Sequence, residues 1–201
     1  MIETRFYKYS GPIPLVELVH GLQVDIPEGQ FCDISIENAA PFTEAGSTDI
    51  AYLDGRRPQV DKCGAAVVLV NKRNAEFIAK CGAVPLISEF PRADFARLLP
   101  RLYTPLTYQD GDDIIPRNSN ISHKAFIDRT ADIGEGTCIE PGAYIGPGVK
   151  IGRDCRIEPN AVVKFTQMGD SCHIQSGAVI GGSGFGVAPT NTQNVDILHV
   201  G

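Results

Sequence analysis

The sequence lacks the features that would assign it to several common classes of protein. No run of apolar residues approaches the roughly eighteen that a membrane-spanning helix needs. The first residues, MIETRFYKYSG, contain no positive segment followed by an apolar stretch and a small-residue cleavage site, so no secretory signal is predicted. No C-x-x-C pair occurs, which leaves zinc ribbons and thioredoxin-like sites without support. Basic residues are outnumbered, 18 against 24 acidic ones, which argues against binding to a nucleic-acid backbone.

What is present describes a folded chain of moderate size. Its 201 residues suit one large domain or two small ones. With 43% hydrophobic and 21% charged residues, the chain does not have the composition of a disordered protein. The cysteines number six, an even count, yet without a secretion signal we expect reduced thiols in a cytoplasmic protein.

The second half of the chain repeats with a period of six residues. A large apolar residue opens each unit, at Ile121, Ile127, Ile133, Ile139, Ile145, Ile151, Ile157, Met168, Ile174 and Ile180. A small residue follows four places later, at Ala125, Ala131, Thr137, Ala143, Val149, Cys155, Ala161, Cys172 and Ala178. One residue is missing before Met168, and either Val162 or Val163 fills the intervening unit. A helix would repeat its apolar face every three or four residues, so this period does not fit helices.

Six residues make one short strand and a corner, and three such units close a triangular coil. Stacked coils would lie about 4.8 Å apart and hydrogen-bond in parallel along each face. The pattern predicts a parallel β-helix over residues 119–201, and it resembles hexapeptide-repeat proteins, whose known examples wind left-handed. Cys155 and Cys172 fall at equivalent inward positions one coil apart, where we expect small apolar fillers.

The first half of the chain shows no period of six and predicts a small α/β domain over residues 1–105. Short apolar runs at Asp49–Leu53, Ala65–Val70 and Val84–Ser88 predict strands. Helices are predicted at Asn74–Cys81 and Ala93–Tyr103, with a weaker candidate at Pro14–Leu22. The polar, turn-rich stretch at 106–118 is predicted to be a linker.

This combination resembles the UDP-3-O-(3-hydroxyacyl)glucosamine N-acyltransferases of lipid A biosynthesis. Ile36–Pro105 is similar to the uridine-binding domain of that family, with IENAAPFTEAGSTDIAYLDG, KCGAAVVLV and the ADFARLL helix. Ile151–Ala188 is similar to the coils that lead into the family's G-x-D-G-F-G loop, here GGSGFG. The resemblance covers most of the chain, and the loop is its most specific part.

The resemblance implies a homotrimer that transfers a 3-hydroxyacyl group from acyl carrier protein to the 2-amine of a UDP-glucosamine derivative. A histidine acts as general base in such enzymes, because an imidazole has its pKa near the working pH. The family's base lies beyond the loop, so we expect it beyond Gly201 and interpret the chain as shortened or a fragment, with His199 a weak candidate. The substrate-binding residues carried over are Tyr52, Asp54, Arg56, Ser183, Gly184, Phe185 and Gly186.

The chain also departs from the family's motifs. The uracil site there follows an aromatic–Leu–x–Asn–x–x–Tyr pattern, which Tyr52 and Leu53 match. Gly55 and Pro58 replace the asparagine and the tyrosine, so one stacking ring and the amide hydrogen bonds are missing. Ser183 stands where the loop usually has an acid.

Other interpretations remain open for the loop and the histidines. Phe185 occupies the last position of a possible G-x-S-x-G elbow, and no predicted helix follows, as a dinucleotide loop would require. The loop could instead be a plain β-helix loop with Phe185 as an apolar plug. His123 and His173 are fifty residues apart and sit at different positions within their hexads, so no metal site is predicted. No cofactor is predicted either.

Two functions of other classes remain as alternatives to the acyl transfer. One is a non-catalytic, trimeric module for sugar-nucleotide binding or assembly. The other is a coenzyme A-dependent acetyltransferase on the same scaffold.

Overall fold

The computed structural model describes residues 4–26, 33–59, 62–109 and 119–199. These residues form two compact units. One unit contains Tyr9–Thr104 together with Phe185–Val200, and the other contains Pro105–Gly184 with the chain up to Lys8. The linker predicted at 106–118 lies outside the described residues from residue 110 onward. The domain limits that we drew from the sequence stay a prediction.

A mixed α/β arrangement forms the first unit, as the sequence predicted. Its helices are α1 (Leu15–Leu18), α2 (Ala75–Lys80) and α3 (Pro91–Leu102), with a 3₁₀ turn at Lys72–Asn74. The strands up to the linker are β1 (Tyr7–Tyr9), β2 (Ile13–Pro14), β3 (Val24–Asp25), β4 (Ser35–Ile36), β5 (Asn38–Ala39), β6 (Asp49–Leu53), β7 (Val67–Val70), β8 (Val84–Ser88) and β9 (Tyr103–Pro105). No helix among the described residues is both long and apolar enough to cross a bilayer.

A five-stranded sheet of order β3-β8-β7-β6-β5 is the centre of this unit. β5 to β8 run parallel, and β3 adds to the edge in the opposite direction. All four residues of β7 are buried, which is the continuous apolar pattern of a strand covered on both faces. α3 packs against β6 and β7 with Phe95, Leu98 and Leu99 buried.

Stacked two-residue strands form the second unit. They are β10 (Asn120–Ile121), β11 (Phe126–Ile127), β12 (Asp132–Ile133), β13 (Cys138–Ile139), β14 (Tyr144–Ile145), β15 (Lys150–Ile151), β16 (Arg156–Ile157), β17 (Val162–Val163), β18 (Gln167–Met168), β19 (His173–Ile174) and β20 (Val179–Ile180). Every third strand pairs in parallel, giving the sheets β10-β13-β16-β19, β11-β14-β17-β20 and β12-β15-β18. The predicted parallel β-helix is therefore confirmed.

The opening residue of each repeat fills the interior of this coil. Ile139, Ile145 and Ile157 are all but inaccessible to solvent. Val163, and not Val162, continues the series, because it pairs with Ile145 and is fully buried. The missing residue is lost at the next corner, where Phe165 has a φ of +46°. The centroid of the Phe165 ring lies 5.9 Å from that of Phe6 and 5.5 Å from that of Tyr7.

A column of small side chains links successive coils by hydrogen bonds. The Thr137 hydroxyl donates to the Gly152 carbonyl at 2.9 Å and accepts from the Cys155 amide at 3.1 Å. The Cys155 thiol repeats this one coil later, donating to the Gly169 carbonyl at 3.2 Å and accepting from the Cys172 amide at 3.4 Å. Burial raises the pKa of the Cys155 thiol, so the thiol form is favoured. The two cysteines fill the stack as predicted, and both are free thiols.

The outward residues of the strands give the three faces different chemistry. One face carries Asn120, Cys138, Arg156 and His173, and another carries Asp132, Lys150 and Gln167. The third face carries a column without charge, which we name the apolar column: Phe126, Tyr144, Val162 and Val179. Phe126 and Val179 are 56% and 60% exposed, which is unusual for large apolar side chains.

A hairpin that the sequence did not predict follows the repeats. Its strands are β21 (Val187–Pro189) and β22 (Asn194–Asp196), which pair antiparallel. Both strands pack against α3, so this hairpin belongs to the α/β unit.

Candidate functional site

The carboxyl edge of the parallel sheet brings together two loops that carry polar side chains. β6 and β7 are parallel neighbours, so the residues after Leu53 and after Val70 emerge at the same edge. Ligands of open α/β sheets bind outside this edge. Polar side chains at this edge are therefore candidates for holding a small molecule.

A network of hydrogen bonds fixes these two loops to each other. Gly55 has a φ of +93°, a conformation that glycine adopts without strain. Its carbonyl accepts from Arg73 Nη2 and from Asn74 Nδ2, each at 3.2 Å. In return Arg57 donates from Nε to Asn74 Oδ1 at 2.9 Å and from Nη2 to the Arg73 carbonyl at 2.6 Å.

A cavity of about 410 Å³ opens beside the first loop. Its lining consists of Asp54, Glu89, Phe90, Arg92, Ala93, Pro189, Thr190 and Asn191. The new hairpin thus contributes to this cavity, and Asn191 donates to Glu89 Oε1 at 3.2 Å. Arg92 Nε is buried and has no hydrogen-bond partner among the described residues, which is costly unless another group or water supplies one.

A second cavity of about 460 Å³ lies on the other side of Glu89. Gln23, Asp25, Asn71, Lys72, Ile87, Ser88 and Glu89 line it. Asn71 begins the second loop, and its buried side-chain oxygen also lacks a partner within the part of the chain that the structure describes. Each cavity at the carboxyl edge of the sheet is thus lined by a residue with a buried, unsatisfied polar atom.

The glycine-rich loop after β20 exposes its aromatic residue. Phe185 is 100% exposed, so the alternative of an apolar plug is wrong. Ser183 and Gly184 are exposed as well. Gly186 accepts at its carbonyl from the Ile197 amide at 2.9 Å, and a Cβ at Gly186 would lie 3.0 Å from His199 Nε2. The loop is thus followed directly by the hairpin that lines the first cavity.

A carboxylate–imidazole pair on the β-helix was missed by the sequence analysis. His173 faces solvent, and its Nε2 lies 2.8 Å from Glu158 Oε1. The hydroxyl of Ser176 and then His173, with the Ser176 amide, lower the pKa of Glu158 to about 2. The signal was available, because Glu158 follows one inward isoleucine and His173 precedes the equivalent residue of the next coil.

No metal site is evident in the described parts of the chain, where no three His, Cys, Asp or Glu residues converge. His20, His123 and His199 are exposed, and none of them lines the cavity of Asp54 and Arg92. The structure therefore places no described histidine at this cavity.

Comparison with known proteins agrees with both units. Residues 130–165 match the bacterial transferase hexapeptide family, and residues 33–100 match the family described as UDP-3-O-(3-hydroxymyristoyl) glucosamine N-acyltransferase. The chain is 30% identical, over its whole length, to the UDP-3-O-acylglucosamine N-acyltransferase of Maricaulis maris (strain MCS10). This chain is similar over its whole length to the UDP-3-O-acylglucosamine N-acyltransferase family. The hexapeptide match and the stacked parallel strands also confirm the predicted left-handed β-helix.

Other members of the N-acyltransferase family give similar values. The enzyme of Caulobacter vibrioides (strain NA1000 / CB15N) is 32% identical over the whole chain, and that of Polynucleobacter asymbioticus is 32% identical over 75% of it. The chain spans 61% of the length of the Maricaulis and Caulobacter relatives and 48% of the Polynucleobacter one.

Some of the residues that were predicted from the resemblance to the N-acyltransferase family lie at or near the first cavity. Asp54 lines the first cavity, and Arg56 is exposed at its loop. Tyr52, at the aromatic position of the uracil motif, is half-buried with its ring 4.9 Å from that of Phe95. Arg92 and Asn191, which also line the cavity, were not predicted. A role for each of these residues stays a prediction.

Proposed function

We propose that this protein binds a UDP-sugar at the carboxyl edge of its parallel sheet and serves the N-acylation of that sugar. The substrate would be UDP-3-O-acylglucosamine, as in the names of the relatives. The observation that supports it most is the cavity of Asp54 and Arg92, of whose eight lining residues five lie inside the region that matches the family model. The Arg92 side chain suits a phosphate or a sugar oxygen, because a guanidinium offers only donors.

The chemistry would be acyl transfer from a thioester on acyl carrier protein. The 2-amine of the sugar attacks the thioester carbonyl carbon, the new C–N bond forms and the C–S bond breaks. The amine loses a proton to a general base, and the sulfur leaves as a thiol once it is protonated. An imidazole base and backbone N–H donors to the developing oxyanion suit this step. We also propose that the reaction takes place in the cytoplasm.

The apolar column supports the further proposal of a homotrimer. Burying Phe126 and Val179 in a contact costs no desolvation of charge, because the column contains no ionisable group apart from the Tyr144 phenol. The burial of Tyr144 and the nearby charge of Asp128 raise the pKa of this phenol, so it stays neutral. A second copy of the chain presents rungs at the same spacing of about 4.8 Å, so side chains of two such columns can interdigitate. Closed rotational symmetry is the usual outcome of such repeated contacts.

Acyl transfer from an acyl-carrier-protein thioester to UDP-3-O-acylglucosamine tests the function directly. Turnover that falls when Arg92 is replaced by Gln, with the fold intact by circular dichroism, supports the proposal. Saturable binding of the UDP-sugar without turnover would support the non-catalytic module instead. Transfer from acetyl-coenzyme A, with none from the carrier-protein thioester, would replace the proposed donor.

A further inference from the structure

A group of four basic side chains lies at the carboxyl edge of the sheet, outside the cavity of Asp54. It consists of Arg56, Arg57, Lys72 and Arg73, and we name it the cationic cluster. All four side chains are exposed. Among the described residues no carboxylate forms an ion pair with any of them. This is notable in a chain whose formal net charge is −6.

Two of these guanidinium groups are held in place rather than free to turn in solvent. Arg57 donates to Asn74 and to the Arg73 carbonyl, while its guanidinium carbon lies 5.6 Å from the ring centroid of Phe77. Arg73 donates from Nη2 to the Gly55 carbonyl. Each group keeps further N–H donors that are not used by these bonds. The two guanidinium groups are therefore held by neutral acceptors rather than by ion pairs.

An oxyanion with several acceptors is the chemistry that fits this arrangement. Guanidinium groups recognise phosphate in a bidentate way, and groups that are already ordered lose less entropy on binding. Lys72 lines the second cavity and Asp54 lines the first, so the loops of the cluster border both. A diphosphate at this edge could therefore contact the cluster while its other substituents enter a cavity.

The part of the family motif that would recognise the base is missing at this place. Gly55 and Pro58 stand where the motif has the amide and the second ring, and the ring of Tyr52 is already in contact with Phe95. Gly55 instead uses its carbonyl to position Arg73. The loop after β6 therefore lacks the side chains that would recognise a base and presents arginine side chains at the same place.

We propose that the cationic cluster is a diphosphate clamp, from which a nucleoside diphosphate gains its affinity with little dependence on the base. This inference rests on the proposed function in that it assumes a nucleotide ligand. It differs in naming the phosphates, and not the uracil, as the recognised group. A consequence is that binding weakens with salt, because exposed charges are screened over about 10 Å at 0.1 M ionic strength.

Calorimetric titration of the whole chain with UDP, ADP, uridine and inorganic pyrophosphate tests the clamp. We expect UDP and ADP to bind within about threefold of each other and uridine to bind at least tenfold more weakly, because uridine lacks the phosphates that accept the charge-assisted hydrogen bonds. Arg73→Gln should weaken UDP and pyrophosphate about five- to tenfold, because it removes one such group. Arg56→Gln, which breaks no described hydrogen bond, should act in the same direction and guards against loss of loop structure. Arg129→Gln, an exposed arginine of the β-helix, is the matched control and should change nothing.

The possible failures separate the clamp from the proposed function. Uridine that binds as tightly as UDP, with the arginine variants unaffected, overturns the clamp and leaves UDP-sugar binding in place. Pyrophosphate binding that depends on Arg73, without any binding of the UDP-sugar, supports the clamp and counts against the proposed function. Binding of polyglutamate with no binding of nucleotide or pyrophosphate would assign the cluster to an acidic protein partner and overturn the clamp.

Discussion

Stacked glycines at one corner of the β-helix allow a sharp test of how closely its coils are packed. An alanine Cβ at Gly152 would lie 2.5 Å from the Gly169 carbonyl oxygen and 2.6 Å from the Asp170 nitrogen. These are backbone atoms of the next coil, so no flexible side chain can move aside. At Gly169, in the same column, a Cβ would meet nothing within 4 Å. Gly152→Ala and Gly169→Ala therefore make the same chemical change with and without a clash.

The cost of Gly152→Ala can be worked from the neighbouring hydrogen bonds. Ordinary contact requires the two coils to separate locally by about 1 Å, against a normal spacing of about 4.8 Å. That movement strains the bond from the Gly152 amide to the Met168 carbonyl, at 3.1 Å, and the bond from the Arg153 amide to Asp170, at 2.8 Å. Two weakened bonds at about 1 kcal/mol each and overpacking of about 1–3 kcal/mol give roughly 3–5 kcal/mol in total.

Urea denaturation followed by circular dichroism measures this difference at one protein concentration. Gly169→Ala should change the free energy of unfolding by less than about 1 kcal/mol, with a small gain from the reduced entropy of the unfolded chain. Gly152→Ala should lower it by roughly 3–5 kcal/mol relative to that control. If the two variants unfold at the same urea concentration, the close contact between coils is not a constraint and our account of this corner is refuted.

Three more predictions concern the β-helix. Cys155→Ala should lower the free energy of unfolding by about 1–3 kcal/mol, because it leaves the buried amide of Cys172 without an acceptor, whereas Cys155→Ser should stay near the parent in the same urea experiment. Because the pKa of Glu158 is lowered from its ordinary value of 4.5 to about 2, its ionised form stabilises the fold above pH 4.5, and this stabilisation should be lost as the pH falls towards 2. The melting temperature of Glu158→Gln should therefore depend less on pH across that interval than the melting temperature of the parent. An unchanged pH profile would contradict the assignment. Val179→Glu places a charge in the apolar column and should shift the protein towards monomer in sedimentation. Gln175→Glu, which changes an exposed residue of the same coil, should not. If the two variants sediment equally, the apolar column is not part of the interface.

The β-helix could be predicted from sequence because each of its units repeats the same physical requirement. An inward aliphatic is needed at every turn of the coil, so Ile139 and Ile157 mark their own positions without reference to the rest of the chain. The choice between Val162 and Val163 could not be made in this way, since both are valines and the gap could lie on either side. It depends on the corner at Phe165, which is held by Phe6 from the distant start of the chain.

The site was less accessible to sequence reasoning because its contacts join separate loops. Asp54 and Arg56 could be named from the motif that follows β6. The bonds of Arg57 to Asn74 and of Arg73 to Gly55 cross from one loop to another, and no local spacing marks such pairs. A usable signal did exist, because both basic dipeptides, Arg56–Arg57 and Lys72–Arg73, come shortly after adjacent parallel strands.

The corner at Phe165 shows how a repetitive architecture survives an error in its count. The loss of a residue within a strand would shift the register and turn every later inward side chain to the surface. Here the loss falls between Val163 and Met168, and Met168 still pairs with Ile151 in the original register. The register of strand pairing is thus restored within a single corner of the coil. Insertions and deletions in proteins of this kind should therefore accumulate at bends, where whole loops such as the one ending at Phe185 can also be added at little cost to the stack.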